Sequence, residues 1–340
     1  MTGALGDAGA SPRVQVRVDP DLARALRPAS GHTKTPRCAR SCAIGAPGFE
    51  PGTSPTRTVR ATRLRHAPRS AELSIPHPVA LSSLSVAASI SQVLEEAERI
   101  LEPERFEDYC HNGLQVPGSG AVSTIASGVS ASLELFERAL QERAELVIVH
   151  HGLFWGAGVN RLDVTLKSRL KVLLDADIAL AAYHLPLDAH PQLGNNALLA
   201  RALHGEPHEP FALHRGEAIG FIASMPGEGT ELAEIASQLR HLTAREPLVL
   251  ACSAAARVKR LAIVSGAGAE YIEEAAQRGA QALLTGELPE RSMAQAREAG
   301  LHLIAAGHYA TETFGVRRLG EQLAEHFGVR HVFLDVPNPL

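Results

Sequence analysis

Beyond residue 86 this chain alternates short apolar runs with segments of helical period, and three of the runs end in imidazoles or carboxylates. Leu146–Val149 leads into His150-His151, Ile178–Tyr183 into His184-Leu-Pro-Leu-Asp188, and Leu301–Gly307 into His308-x-x-x-Glu312. Such alternation confines the chain to an α/β architecture. In open α/β sheets, ligands bind beyond the carboxyl ends of the strands, so three exits of this kind imply one shared site.

The alternation reads as two related α/β lobes. In the first, residues 87–206, helices are expected over Ser91–Leu101, Leu133–Arg143, Leu166–Asp175 and Asn196–Leu203, and strands over Val122–Ile125, Leu146–Val149 and Ile178–Ala182. Ser91 is the serine placed to cap the first helix. In the second, residues 207–340, strands are expected over Ile219–Ser224, Leu248–Cys252, Arg260–Val264, Ala282–Leu284, Leu301–Ile304 and Val332–Leu334. Helices over Glu231–His241, Ala269–Arg278, Glu290–Glu298 and Thr311–His326 separate them. Two ligand clusters fall in the first lobe and one in the second, which puts the site at the lobe interface. Residues 1–86 are rich in Pro, Gly, Ser, Thr and Arg and show no sustained period. They read as a disordered segment, or as an extension added by a start site placed too far upstream.

Charge and cysteine usage narrow the function classes. Of 33 Lys/Arg and 37 Asp/Glu, 12 and 5 lie in residues 1–86, which leaves 21 and 32 in the body. An acidic body does not offer the basic face that nucleic acid requires. No apolar run approaches the ~20 residues of a membrane span, so no membrane is implied. The 4 cysteines, Cys38, Cys42, Cys110 and Cys252, lack paired metal spacing and are too few for a disulfide framework, which points to a reducing, cytoplasmic setting.

The ligand types set the chemistry. Histidine with Asp/Glu and no cysteine suits Zn, Mn, Fe, Co or Ni. His308 and Glu312 are four apart and share a face if a helix starts near His308. Neighbours on a regular strand face opposite ways, so His150 and His151 are expected where the strand has ended. Asp188 follows a proline turn. These residues make a two-metal centre, with Glu312 bridging, open positions for water, and hydrolysis by a metal-activated water. Glu287, in Thr285-Gly-Glu287, and His184 are candidates for a catalytic role. The amides of Asn112-Gly-Leu-Gln115 are candidates for orienting substrate or binding backbone. Ser265-Gly-Ala-Gly268 lacks the lysine of a phosphate loop, and no Gly-x-Ser-x-Gly elbow is present. Arg161, Lys167 and Arg169 are the basic residues nearest the clusters in sequence.

Taken together, Asn112-Gly-Leu-Gln-Val116, His150-His-Gly-Leu-Phe-Trp155, His184-Leu-Pro-Leu-Asp-Ala-His-Pro191 with Gly194-Asn-Asn196, Thr285-Gly-Glu287 and Gly307-His-Tyr-Ala-Thr-Glu312 closely resemble the Nif-three-like proteins, also known as GTP cyclohydrolase I type 2 homologues. The resemblance runs from about residue 88 to Pro339. It implies two related α/β lobes, a toroidal homohexamer and two divalent metal ions per subunit on His150, His151, Asp188, His308 and Glu312, with His184 as a further ligand or the support of one. The helix after Thr285-Gly-Glu287 often carries a histidine in this family where this chain has Ala294. The substrate implied is an unidentified small molecule, GTP among the possibilities. A metal-binding or scaffold hexamer without enzymatic activity is the alternative.

Overall fold

The computed structural model describes residues 88–156 and 161–340. The expectations for residues 1–86, including Cys38 and Cys42, lie outside the described residues. Helix α1 (Ile90–Leu101) follows the short strand β1 (Ala88–Ser89) and is capped by Ser89 rather than Ser91. The Ser89 hydroxyl accepts the Gln92 amide at 3.2 Å while the Gln92 side chain accepts the Ser89 amide at 2.9 Å. This reciprocal pairing satisfies donors at the helix start that would otherwise be orphaned.

The first lobe continues through β2 (Gly113–Val116), β3 (Ala121–Val122), β4 (Thr124–Ser130), α2 (Leu133–Gln141), β5 (Leu146–His151), α3 (Val164–Asp175) and β6 (Ala179–Ala182). Two short helices, α4 (Leu185–Ala189) and α5 (Asn195–Ala202), follow. Strands β4, β5 and β6 run parallel and are buried almost throughout, because helices cover both faces of the sheet. Strand β2 closes one edge antiparallel to β6, so the Asn112–Gln115 segment enters the sheet itself.

The second lobe opens with the hairpin β7 (Glu206–His214) and β8 (Glu217–Ser224). Strand β7 was not expected from the sequence. Pro207 and Pro210 break its pattern, and they are tolerated because β7 is an edge strand. Next come β9 (Thr230–Glu231), α6 (Leu232–Thr243), β10 (Leu248–Leu250), β11 (Arg257–Val258), β12 (Arg260–Ile263), α7 (Ile272–Gln277), β13 (Ala282–Thr285), α8 (Ser292–Ala299) and β14 (His302–Ala305). The six-stranded order is β10-β14-β13-β12-β8-β7, with β12, β13 and β14 parallel.

After β14 the chain forms α9 (His308–Thr311) and α10 (Thr313–Phe327), then returns to the first sheet as β15 (Arg330–Phe333). Strand β15 pairs in parallel with β4, Arg330 opposite Thr124 and Phe333 opposite Ser127. Val316, Leu319 and Leu323 of α10 enter the core formed by α1, β4 and β5. The expected boundary placed all of residues 207–340 in the second lobe. In the structure the segment from α10 onward packs with the first, because the apolar stripe of α10 finds its cover there and β4 would otherwise present an unpaired edge. No helix of the described residues is long and apolar enough to cross a membrane.

Leu319 is fully buried in that core. Leu319→Ala is therefore expected to destabilise the protein by about 2–5 kcal/mol in urea denaturation. A loss below about 0.5 kcal/mol, the range of an exposed site, would contradict this packing.

Candidate metal centre

The carboxyl ends of β5, β6 and β14 face one another, and the expected ligands meet there. Strand β5 runs through His151 rather than ending before His150, a correction to the expected strand end. His151 stays in register with Ser130 of β4, whereas His150 has no register partner between Val149 and His151. The two rings straddle the strand end at 4.8 Å between centroids, and both reach Glu312. His184 follows β6, and Asp188 lies in the short helix α4 with Pro186 in its first turn. His308 opens α9, and Glu312 sits at the break between α9 and α10 with φ −109° and ψ 5°. The four-residue spacing holds across that break: His308 Nε2 is 3.3 Å from Glu312 Oε1.

Glu312 is the hub. Its Oε1 is also 3.7 Å from His150 Nε2, and its Oε2 is 3.2 Å from His151 Nε2. Asp188 Oδ2 lies 3.5 Å from His150 Nε2. Two groups of nitrogen and oxygen atoms, His150/His151/His184 and His151/His308/Glu312, each fall within 4.8 Å and could hold a metal ion. His184 thus joins the cluster.

The imidazoles are oriented from behind. His150 Nδ1 bonds the Tyr183 carbonyl at 3.0 Å, His184 Nδ1 the Asp108 carboxylate at 2.9 Å, and His308 Nδ1 faces Glu287 at 3.2 Å. Those oxygens can only accept, so each Nδ1 carries a proton and each ring turns Nε2 inward as the atom left for a ligand. His151 Nδ1 is 3.2 Å from the Ser130 hydroxyl. Asp188 is held through Oδ1 by Asn195 at 2.8 Å and Ser265 at 3.1 Å, which leaves Oδ2 toward His150.

Several of these supports carried no recognised signal in the sequence. Asp108 binds His184, Asn112 and the Cys110 and Leu185 amides, yet its neighbours show no motif of metal spacing. Ser265, considered only within a nucleotide loop, carries Asp188, and Gly266 is a wall of the site. A side chain at Gly266, where φ is +61°, would collide with Glu312 Oε1 and lie 3.2 Å from His308 Nε2. Gln115 braces the residues after β5, accepting the Leu153 amide at 2.6 Å and donating to the His111 carbonyl at 2.7 Å. Asn112 accepts the His184 amide at 2.8 Å, so both amides serve backbone.

Burial and charge favour a cation. His150 Nε2 and Glu312 Oε2 are buried and make no well-aligned hydrogen bond among the described residues, although Oε2 lies 3.2 Å from His151 Nε2, so both remain available to a ligand. Burial opposes charge on His150, but Asp188 and Glu312 outweigh it and hold the ring up at about 9. The Glu312 hydrogen bond, against burial and with help from Glu287, raises His308 to about 9. Burial would raise Glu312, but its imidazole partners hold it well below the usual carboxylate range. Burial lowers His151, and Asp108 falls to about 2 because its bonds to His184 and nearby amides overcome burial.

A recess of about 470 Å³ opens over the ligands between Tyr109, Trp155, Tyr309 and Asn338. Glu287 lines it, and Arg161, Lys167 and Arg169 do not.

The raised imidazoles give the metal-free protein a testable pH dependence. Stabilisation from the protonated rings is fully present below the unfolded value near 6.5 and is lost as the pH rises through about 9. Metal-free protein is expected to be less stable in denaturant at about pH 10 than at about pH 6, and added divalent ion should reverse the loss. Equal stability at the two pH values without metal would contradict the electrostatics derived for the cluster.

The chain is also similar to known proteins. A 255-residue match to a GTP cyclohydrolase 1 type 2 homolog of Pseudomonas aeruginosa is 44% identical and covers 75% of this chain and 100% of that protein. A protein of the same name from Archaeoglobus fulgidus is 37% identical over 252 residues, covering 74% and 100%. Among solved structures, protein ybgI, described as of unknown function, matches with a TM-score of 0.70 and 38% identity over 74% of this chain and 100% of that one. A structure from Thermus thermophilus, TTHA1606, matches with a TM-score of 0.65 and 34% identity, again over 74% and 100%. A sequence model of Duf34/NIF3 (NGG1p interacting factor 3) matches residues 88–339, and the chain belongs to that family.

Proposed function

We propose that this protein binds two divalent metal ions at the junction of its sheets and acts as a metal-dependent hydrolase on a small molecule, as a cytoplasmic homohexamer. The observation that carries this reading is the inward convergence of Nε2 atoms on a buried carboxylate, with two buried polar atoms making no hydrogen bond among the described residues. The donor set suits borderline or harder divalent ions such as Zn, Mn, Fe, Co or Ni. His150, His151, Asp188, His308 and Glu312 would hold the pair, the two oxygens of Glu312 facing different imidazoles, and His184 would serve as a further ligand. Bound there, the ions would bring the pKa of a water toward neutrality and offset charge developing on the attacked group.

The protein's own groups supply the rest. Asp108 fixes His184 in the tautomer whose Nε2 accepts a proton or a ligand bond. Glu287 is half exposed, lines the recess and faces His308, a position from which its free oxygen can take up a proton from the recess. Tyr109 and Trp155 flank the opening and shield one side from water. The name shared by the relatives makes GTP the first compound to test, followed by phosphoesters and amides.

Glu312→Gln removes the negative charge at the hub and is expected to fold yet lose most of its metal, measured by mass spectrometry on the full chain. The wild type should carry about two ions per chain, and chelation should abolish any hydrolysis. Full metal occupancy in the variant would refute the bridging role. Metal without hydrolysis across the panel would favour a metal-binding or scaffold protein.

A further inference from the structure

A second recess of about 560 Å³ adjoins the metal site, and Tyr309 and Asn338 line both. Arg245 and Arg317 line the second recess only. Arg317 has no carboxylate within 4.0 Å among the described residues, and Arg245 meets the terminal carboxylate oxygen of Leu340, whereas Arg260 and Arg278 clamp Glu209 and Arg330 pairs with Glu142. The Arg317 guanidinium stacks 4.1 Å from the centre of the Phe333 ring, which fixes its plane and leaves its N–H edge free. Arg245 packs against Gly307, directly before the ligand His308; a side chain there would fall 2.9 Å from Arg245 Cζ.

One oxygen already marks where donors converge. The main-chain oxygen of Leu340 accepts from Arg245 Nη1 at 3.3 Å and from the Tyr309 amide at 3.3 Å. Leu340 is 72% exposed, so an incoming group can displace it. Asp335 is the carboxylate in this recess, and one of its oxygens is taken by the Tyr309 hydroxyl at 2.6 Å. Once the Leu340 carboxylate is displaced, the two guanidiniums face Asp335 as the remaining carboxylate, and the recess is net positive beside the metal site.

We propose that Arg245 and Arg317 form a subsite for a phosphoryl group of the substrate, whose reacting bond lies over the metal ligands on the other side of Tyr309 and Asn338. This rests on the metal-site reading given above. A pair of guanidiniums matches a doubly charged tetrahedral group better than a single carboxylate, because each fork can take two of its oxygens.

The test is calorimetric titration of the full chain with inorganic phosphate and with acetate, in metal-free and metal-loaded protein, with metal content measured alongside. Metal-free wild type is expected to bind phosphate in preference to acetate. Arg245→Gln/Arg317→Gln should weaken phosphate by about tenfold or more with metal content unchanged, and exposed Arg317→Gln alone should give a partial loss without affecting folding. Unchanged phosphate affinity in either variant, acetate bound as tightly as phosphate, or phosphate bound only when metal is present would overturn the subsite. Arginine-dependent phosphate binding in a protein that takes up no metal would uphold the subsite and remove the metal reading instead.

Discussion

The structure turns on one buried carboxylate. Glu312 is 3% exposed and meets imidazoles from both lobes, His150 and His151 from the end of β5 and His308 from the start of α9. A buried carboxylate is stable only with compensating positive charge, so the sheets have to be held with their carboxyl ends together. The chain arranges this with the same residue. Glu312 ends α9 and starts α10, and α10 packs into the first lobe, so the segment that closes the site also locks the lobes. Asn195 ties the two functions, accepting the Gly315 amide of α10 at 2.7 Å while donating to Asp188 at 2.8 Å.

Around that hub the side chains that make no contact with Glu312 determine what those that do can offer. A carbonyl and two carboxylates fix the orientation of three rings, and Asn195 and Ser265 leave Asp188 a single free oxygen. Such preorganisation lowers the cost of binding a cation, because the Nε2 atoms are aimed before it arrives. Tyr309 and Asn338 separate the recess over these ligands from the one lined by Arg245 and Arg317. An elongated substrate with an anionic end would meet both.

Much of this was legible in the sequence. Runs such as Leu146–Val149 and Leu301–Ile304 announce buried parallel strands, and imidazoles directly after them announce a site, since a strand exit is where α/β sheets expose polar side chains. Long-range dependences were harder to read. Asp108 is separated from His184 by 76 positions and lies in an irregular segment, so no spacing rule reaches it. Strand β7 was hidden by its prolines, and the return of β15 to β4 depends on which edge is free after folding. The extension of β5 through His151 escaped because alternation forbids neighbouring residues from sharing a face along a regular strand. At the last two residues of the strand, where His150 has no ladder partner, that rule no longer binds.

The central claim is that the cluster around Glu312 is built to hold a pair of cations. The most direct measurement is anomalous diffraction at the absorption edge of a bound divalent ion in crystals of the metal-loaded protein. The account predicts two peaks flanking Glu312 within coordination distance, about 2.0–2.3 Å, of its oxygens and the neighbouring Nε2 atoms. Peaks elsewhere on the surface, with none at Glu312, would contradict it.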